Sequence, residues 1–123
     1  MSEPVLGRPD AVPSDQIDTF PPDGPVDHIT FTTSELVAEC PITAGPDFYE
    51  LEVSYTPVDQ CIETKSLKLY LQTFAGVGIF AEHLGPRIAG HLARAVGVPV
   101  TVQLRQQVRG GITTTVSSTV GPK

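Results

Sequence analysis

The sequence predicts an α+β domain whose strands and helices follow the order β-β-α-α-β-β. Three observations predict it. Apolar or β-branched residues alternate at period two before residue 40 and again from Phe48 to Tyr55. Two stretches between Ser66 and Val96 carry apolar residues at helical spacing instead. A period-two run returns after Val98 and leads into a turn at Arg109-Gly110-Gly111.

Residues 1–25 come first and look different. They hold six prolines, five acids and one base, with almost no apolar periodicity. Such a segment buries too little to offset its chain entropy, so it reads as a mobile or loosely draped arm anchored only near Thr19-Phe20. Residues 26–123 form the single folded domain, close to the commonest domain size.

The first strand runs from His28 through Ile29, Phe31 and Thr33, with a bulge or bend expected at Ser34 before Leu36-Val37-Ala38 leads to Cys40. Gly45-Pro46 then turns the chain, glycine adopting φ > 0 and the proline ring fixing its own φ. The second strand places Tyr49, Leu51, Val53 and Tyr55 on one face, and Thr56-Pro57-Val58-Asp59 ends it. From Ser66, Leu67, Tyr70, Leu71 and Phe74 form one helical stripe, stopped by Gly76-Val77-Gly78. Phe80 to Val96 make the second helix, with Leu84, Ile88, Leu92 and Ala95 inward, Pro86 near its start and Gly97 at its end. Val98, Val100, Val102 and Leu104 give the third strand, and Ile112, Thr114 and Val116 begin the fourth. Two helices cover one face of four strands. The other face and the edges need cover, for which oligomerisation is the economical answer.

Charge is unevenly spread. Residues 26–64 carry eight acids and no base, whereas 65–123 carry seven bases and one acid, Glu82. A net charge of −6 argues against a nucleic-acid binder, and a local basic zone suits a small phosphorylated ligand. The plain alternative is that Lys65, Lys68, Arg87 and Arg94 are solvated helix positions. No apolar run spans a membrane and no export signal is visible, so a cytoplasmic location is the expectation. Cys40 and Cys61 are then expected as free thiols, and the scattered His28, His83 and His91 predict no metal site.

The chemistry concentrates in Cys40-Pro-Ile-Thr-Ala-Gly-Pro-Asp47. A thiol is a candidate nucleophile, and a carboxylic acid turned back towards it is a candidate proton donor. The plain reading is a small buried cysteine and an aspartate serving turn chemistry.

Four pieces now carry a resemblance. They are Cys40-Pro-Ile-Thr-Ala-Gly-Pro-Asp47-Phe48, Glu63-Thr-Lys-Ser-Leu-Lys-Leu-Tyr70, Phe80-Ala81-Glu82 and Arg109-Gly-Gly-Ile112. In this order and spacing the chain resembles the NADPH-dependent 7-cyano-7-deazaguanine reductases, the QueF-type nitrile reductases of queuosine biosynthesis, over roughly residues 18–112. The resemblance implies a tunnelling fold, with β-β-α-α-β-β subunits assembled into an oligomeric barrel and active sites at subunit interfaces. It implies Cys40 as the nucleophile that forms a thioimide with the nitrile, and Asp47 as the acid that protonates its nitrogen. Glu82 would hold the base's amino and ring N–H groups, beside Ala81, Ile62, Glu63 and Thr64. Lys65, Ser66, Lys68, Arg109 and the Gly110 backbone would meet NADPH, two of which reduce the adduct to 7-aminomethyl-7-deazaguanine. No Rossmann fingerprint is present, so the cofactor would need a cleft of another kind.

The chain departs from the family at Ala75-Gly76-Val77, where Arg-Asn and a third, often His, residue are usual, and at Ala81, where the family has histidine. His83 is a poor substitute, because it points about 100° from Glu82 on a helix. Two other classes are compatible with the pattern. An amidine-forming relative of archaeosine synthesis uses the same cysteine and aspartate with ammonia and no NADPH, against which the retained Lys65, Ser66 and Lys68 argue. A non-catalytic 7-deazapurine-binding subunit is the other.

Overall fold

The structure, a computed structural model, describes residues 3–123. Its elements are β1 (Thr19–Phe20), β2 (Ile29–Glu39), β3 (Pro46–Tyr55), β4 (Cys61–Ile62), α1 (Thr64–Gln72), α2 (Ala81–Val96), β5 (Val100–Gln106) and β6 (Thr115–Val120). The four long strands form one antiparallel sheet in the order β2-β3-β5-β6. The α+β class and the order of the main elements are as the sequence predicts. The short β1-β4 pair was not foreseen, because two-residue strands carry no period.

Both helices lie on one face. α2 packs across β5 and β6 and α1 leans on β2. Between helices and sheet lies the core, built from Leu51, Val53, Leu67, Leu71, Leu84, Ile88, Leu92 and Leu104 with their neighbours. The alternation of β3 places Asp47, Tyr49, Leu51, Val53 and Tyr55 on the buried side. Gly85 allows α2 to sit close to the sheet, since a Cβ there would lie 3.2 Å from a methyl of Val116. The outer face is hydrophilic: Glu50 opposes Arg105, and Thr101 and Thr119 bond through their hydroxyls at 2.8 Å. The demand for cover therefore falls on the outer edges of β2 and β6, unpaired in this sheet, more than on this face.

Several local expectations shift. The bulge of β2 falls between Thr33 and Leu36, around the expected Ser34. α1 starts at Thr64 rather than Ser66, because Glu63 caps it. Pro86 is the sixth residue of α2, past the first turn where a missing N–H costs least, so the helix lacks the bond its N–H would have given to Glu82. The last strand starts at Thr115, not Ile112. Ile112 instead closes the turn with Arg109 and is 68% exposed.

The N-terminal arm is tied down more firmly than its composition suggests. Val5 is buried and its N–H donates to Asp18 Oδ2 at 2.6 Å. The Asp18 N–H donates to Ser66 Oγ at 2.9 Å, Lys65 Nζ donates to the Arg8 carbonyl at 2.8 Å, and His91 Nε2 donates to the Asp15 carbonyl at 2.8 Å. Polar contacts of this kind leave no trace in hydrophobic periodicity. Among the described residues no helix is long and apolar enough to cross a membrane.

Candidate active site

Cys40 opens the loop between β2 and β3. Its N–H donates to the Gly45 carbonyl at 2.8 Å, and its carbonyl accepts from Ala44 N–H at 2.9 Å. The residue with positive φ is Ala44, at 61°, and not Gly45 as the sequence suggested. A left-handed alanine carries a steric cost, so the surrounding hydrogen bonds must hold the loop in place. Within this loop the Cys40 thiol is drawn down from 9.0 to about 7. A hydrogen bond to the Thr43 side chain is the main cause, followed by backbone contacts at Thr43 and Ile42; the Arg109 charge adds to them, while burial opposes. A thiol at this value supplies thiolate at neutral pH.

The link between α1 and α2 is stitched to the same corner. Glu39 N–H donates to the Val77 carbonyl at 2.8 Å, and Ile79 N–H donates to the Glu39 carbonyl at 3.1 Å. Gly78 permits this approach, since a Cβ there would lie 3.3 Å from Pro41 Cα. The start of α2, with Ala81 and Glu82, thereby follows directly from the Cys40 corner.

Asp47 faces Ala38 across the β2-β3 ladder and is 2% exposed. Its carboxylate is ion-paired with the Arg109 guanidinium. Arg109 is presented by a two-residue turn in which Gly110 and Gly111 have φ of 59° and 78°, the paired left-handed conformation that glycine supplies without strain. Next along β3, Tyr49 is buried and its hydroxyl accepts from Gln106 Nε2 at 3.1 Å. Burial pushes the Tyr49 phenol up, helped by the charges of Asp47 and Glu82 and opposed by Gln106 and Arg109. Charge and hydrogen bonding thus link Cys40 to Arg109, Arg109 to Asp47, and Tyr49 to Asp47, Glu82, Gln106 and Arg109, which together make up the Cys40 cluster.

The remaining sequence-nominated residues gather at the start of α1. Ile62 is buried and its N–H donates to the Tyr55 hydroxyl at 2.8 Å. The Glu63 carboxylate caps α1, accepting from Lys65 N–H at 2.6 Å and Ser66 N–H at 2.9 Å. Ser66 Oγ is fully buried, donating to the Glu63 carbonyl and accepting from Asp18 N–H. Thr64 and Lys68 are exposed and line a cavity of about 260 Å³ with Phe31, Leu36, Leu71 and Gln72. Among the described residues no hydrogen bond or ion pair joins this set to the Cys40 cluster. Arg109, grouped by sequence with the lysines, belongs to the other set.

Sequence reasoning missed Thr43, Tyr49 and Gln106. Two of them had a signal. Thr43 lies three residues beyond Cys40 in a tight turn, and Tyr49 shares the face of Asp47 at period two. Gln106 had none, because it is brought in by strand pairing with Tyr49. Cys61 is a buried free thiol, and among the described residues no group of three or more His, Cys, Asp or Glu side chains comes together to hold a metal.

The family model described as QueF-like protein matches residues 46–122. The NADPH-dependent 7-cyano-7-deazaguanine reductase of Frankia casuarinae is 42% identical over 115 residues, covering 93% of this chain and 92% of the relative. The protein of that name from Syntrophus aciditrophicus is 41% identical over 117 residues, covering 93% and 83%. That of an Anaeromyxobacter species (strain Fw109-5) is 36% identical over 116 residues, covering 90% and 93%. Among solved structures, the apo form of the archaeosine synthase QueF-Like superposes with a TM-score of 0.74 at 21% identity, over 81% of this chain and 99% of that one. That last likeness establishes the fold alone.

Proposed function

The chain belongs to the QueF-like family, and from that premise we propose that it is an NADPH-dependent reductase that converts 7-cyano-7-deazaguanine to the primary amine. One observation carries the reading. A cysteine whose thiol is drawn down to about 7 sits in a hairpin loop whose outgoing strand bears a buried aspartate. A nitrile carbon is only modestly electrophilic, and a thiolate attacks it better than a hydroxyl would.

Cys40 Sγ attacks the nitrile carbon, and one π pair of the C≡N bond moves to nitrogen. The proton lost from the thiol reaches that nitrogen through Asp47, giving a neutral thioimide. In its ion pair with Arg109 the Asp47 carboxylate is an acceptor, so it takes the proton before passing it on. Glu82, exposed at the second position of α2, accepts from the amino and ring N–H groups of the base. NADPH would supply two hydrides in all, one from each of two molecules, which with two protons would take the thioimide to the amine and free the Cys40 thiol.

Lys65 and Lys68 would hold the cofactor's phosphates. Lys68 borders the cavity of about 260 Å³, and Lys65 spends only one of its three donors, on the Arg8 carbonyl. Ser66 fits this role poorly, because its buried hydroxyl is already engaged in both directions. A homo-oligomer with sites shared between subunits belongs to the same reading, supported among the described residues by the outer edge of β6 and by that of β2, which is bridged only at Glu39.

The amidine-forming alternative has less support, since relatives carrying the reductase name match over nine-tenths of the chain. The test is incubation with 7-cyano-7-deazaguanine, following thioimide absorbance and a covalent mass shift, then addition of NADPH. Adduct formation followed by NADPH oxidation supports the reading. Absence of both ends it, and amidine formation with ammonia but no NADPH oxidation would favour the alternative.

A further inference from the structure

Tyr49 is the one phenol in the Cys40 cluster, and nothing in the proposed chemistry uses it. Its ring is 2% exposed on the face of β3 that also carries Asp47. Gln106, paired with Tyr49 across β3 and β5, fixes the hydroxyl by donating to it at 3.1 Å. That bond occupies an acceptor lone pair of the phenol oxygen. The phenol's own proton has no acceptor among the described residues, and a buried tyrosine hydroxyl ordinarily finds partners for both functions.

The charged groups that bear on that free donor are those of the proposed site. Asp47 and Glu82 both bear on the phenol electrostatically, and Arg109 is ion-paired with Asp47. With Arg109 committed to it, Asp47 offers lone pairs to the site rather than a resting hydrogen. Attack on a nitrile develops negative charge on nitrogen, and that charge calls for a fixed donor that needs no rearrangement. We infer that Tyr49 is a substrate-contacting residue whose hydroxyl, oriented by Gln106, donates a hydrogen bond to the nitrogen of the nitrile as the thioimide forms. The inference rests on the nitrile chemistry proposed above. No proton is transferred by the phenol, whose upward shift with burial keeps it a donor throughout the working pH range.

The experiment compares wild type, Tyr49→Phe and Gln106→Leu, each first shown to melt cooperatively. Stopped-flow absorbance follows adduct formation with 7-cyano-7-deazaguanine in the absence of NADPH. In parallel, affinity for the intact nitrile is measured on the same variants carrying Cys40→Ala. Tyr49→Phe keeps the ring and its packing, so the expected result is adduct formation slowed about tenfold or more, with nitrile affinity changed less than about threefold. Gln106→Leu, which leaves the phenol in place but unoriented, should fall between the two. Adduct formation in Tyr49→Phe at the wild-type rate overturns the inference, as does an equal loss of affinity and rate. A wild-type protein that forms no adduct overturns the parent reading and this inference with it.

Discussion

Arg109 and Asp47, 62 residues apart in sequence, form an ion pair in which the carboxylate is buried and the guanidinium is 41% exposed. The pair ties the β5-β6 connection to the strand following the cysteine loop. Removing Arg109 alone would leave a buried carboxylate without its partner. Fully buried pairs cost about 3–5 kcal/mol to break in this way, and the exposure of Arg109 reduces the expected loss for Arg109→Ala to about 1–3 kcal/mol. The double variant Arg109→Ala/Asp47→Asn should recover part of it. Urea denaturation of all four proteins in the cycle measures the coupling, and additive losses would show that the pair contributes nothing.

The thiol gives a second prediction. Reaction of Cys40 with an alkylating agent should rise with pH through a midpoint of about 7, falling tenfold per unit well below it. Thr43→Val removes the principal hydrogen bond and should move the midpoint upward, towards 9.0. Arg109→Ala should move it in the same direction by less, since its charge is the smaller cause. Cys40→Ala should abolish the covalent adduct with the nitrile, while Cys61→Ala, at a buried site, should retain it. An adduct mapped to Cys61 by peptide mass would overturn the assignment.

What the sequence made legible follows the physics of each signal. The burial of Tyr49, Leu51, Val53 and Tyr55 was readable because strand period and burial coincide. The stripe Leu67, Tyr70, Leu71 and Phe74 is buried for the same reason at helical period. Glu63 was different. Its place in a family motif suggested a ligand contact, whereas its carboxylate satisfies two free N–H groups at the start of α1. Docking of the arm depends on Asp18 meeting Ser66 and Arg8 meeting Lys65 across 48 and 57 residues, which no local pattern records. The pairing of Arg109 with Asp47 was hidden likewise, because topology alone brings them together.

The cap yields a third prediction. Glu63→Ala should destabilise the protein by about 0.5–2 kcal/mol, the usual cost of losing a helix cap. Ser66→Ala should be similarly harmful, since it strips a buried hydroxyl from both the helix start and the arm. Thermal melts test both. If instead nitrile affinity collapses in Glu63→Ala with no change in melting, Glu63 is a ligand contact first.

The lysines separate capture from reduction. Lys68→Ala is the cleaner single variant, because Lys65 also holds the arm through the Arg8 carbonyl. NADPH binding, followed by fluorescence titration, should weaken in Lys68→Ala and further in Lys65→Ala/Lys68→Ala, and wild-type binding should weaken with added salt. Adduct formation should be nearly unchanged, since it precedes use of the cofactor. Unaltered NADPH affinity in the double variant would return attention to the amidine-forming chemistry.

Ala81 stands where the resembling family carries histidine, and it is the first residue of α2, 3% exposed and part of the core. Its methyl offers no hydrogen bond to a nitrogen undergoing reduction, whereas Cys40, Asp47 and Glu82 retain what capture requires. Thioimide should therefore accumulate in the wild type, with reduction limiting turnover. Ala81→His adds a donor for the reductive step beside the Tyr49 hydroxyl, which serves capture, and a positioned donor or acid of that kind contributes typically about a hundredfold or more. Its burial sets an opposing cost, since an imidazole forced into a packed core destabilises by about 1–3 kcal/mol. The expected signature is a lower melting temperature, little change in the rate of thioimide formation, and faster NADPH oxidation in a single turnover. A wild type that reduces the nitrile without thioimide build-up, and gains nothing from histidine at 81, would show that another group already serves the reductive step.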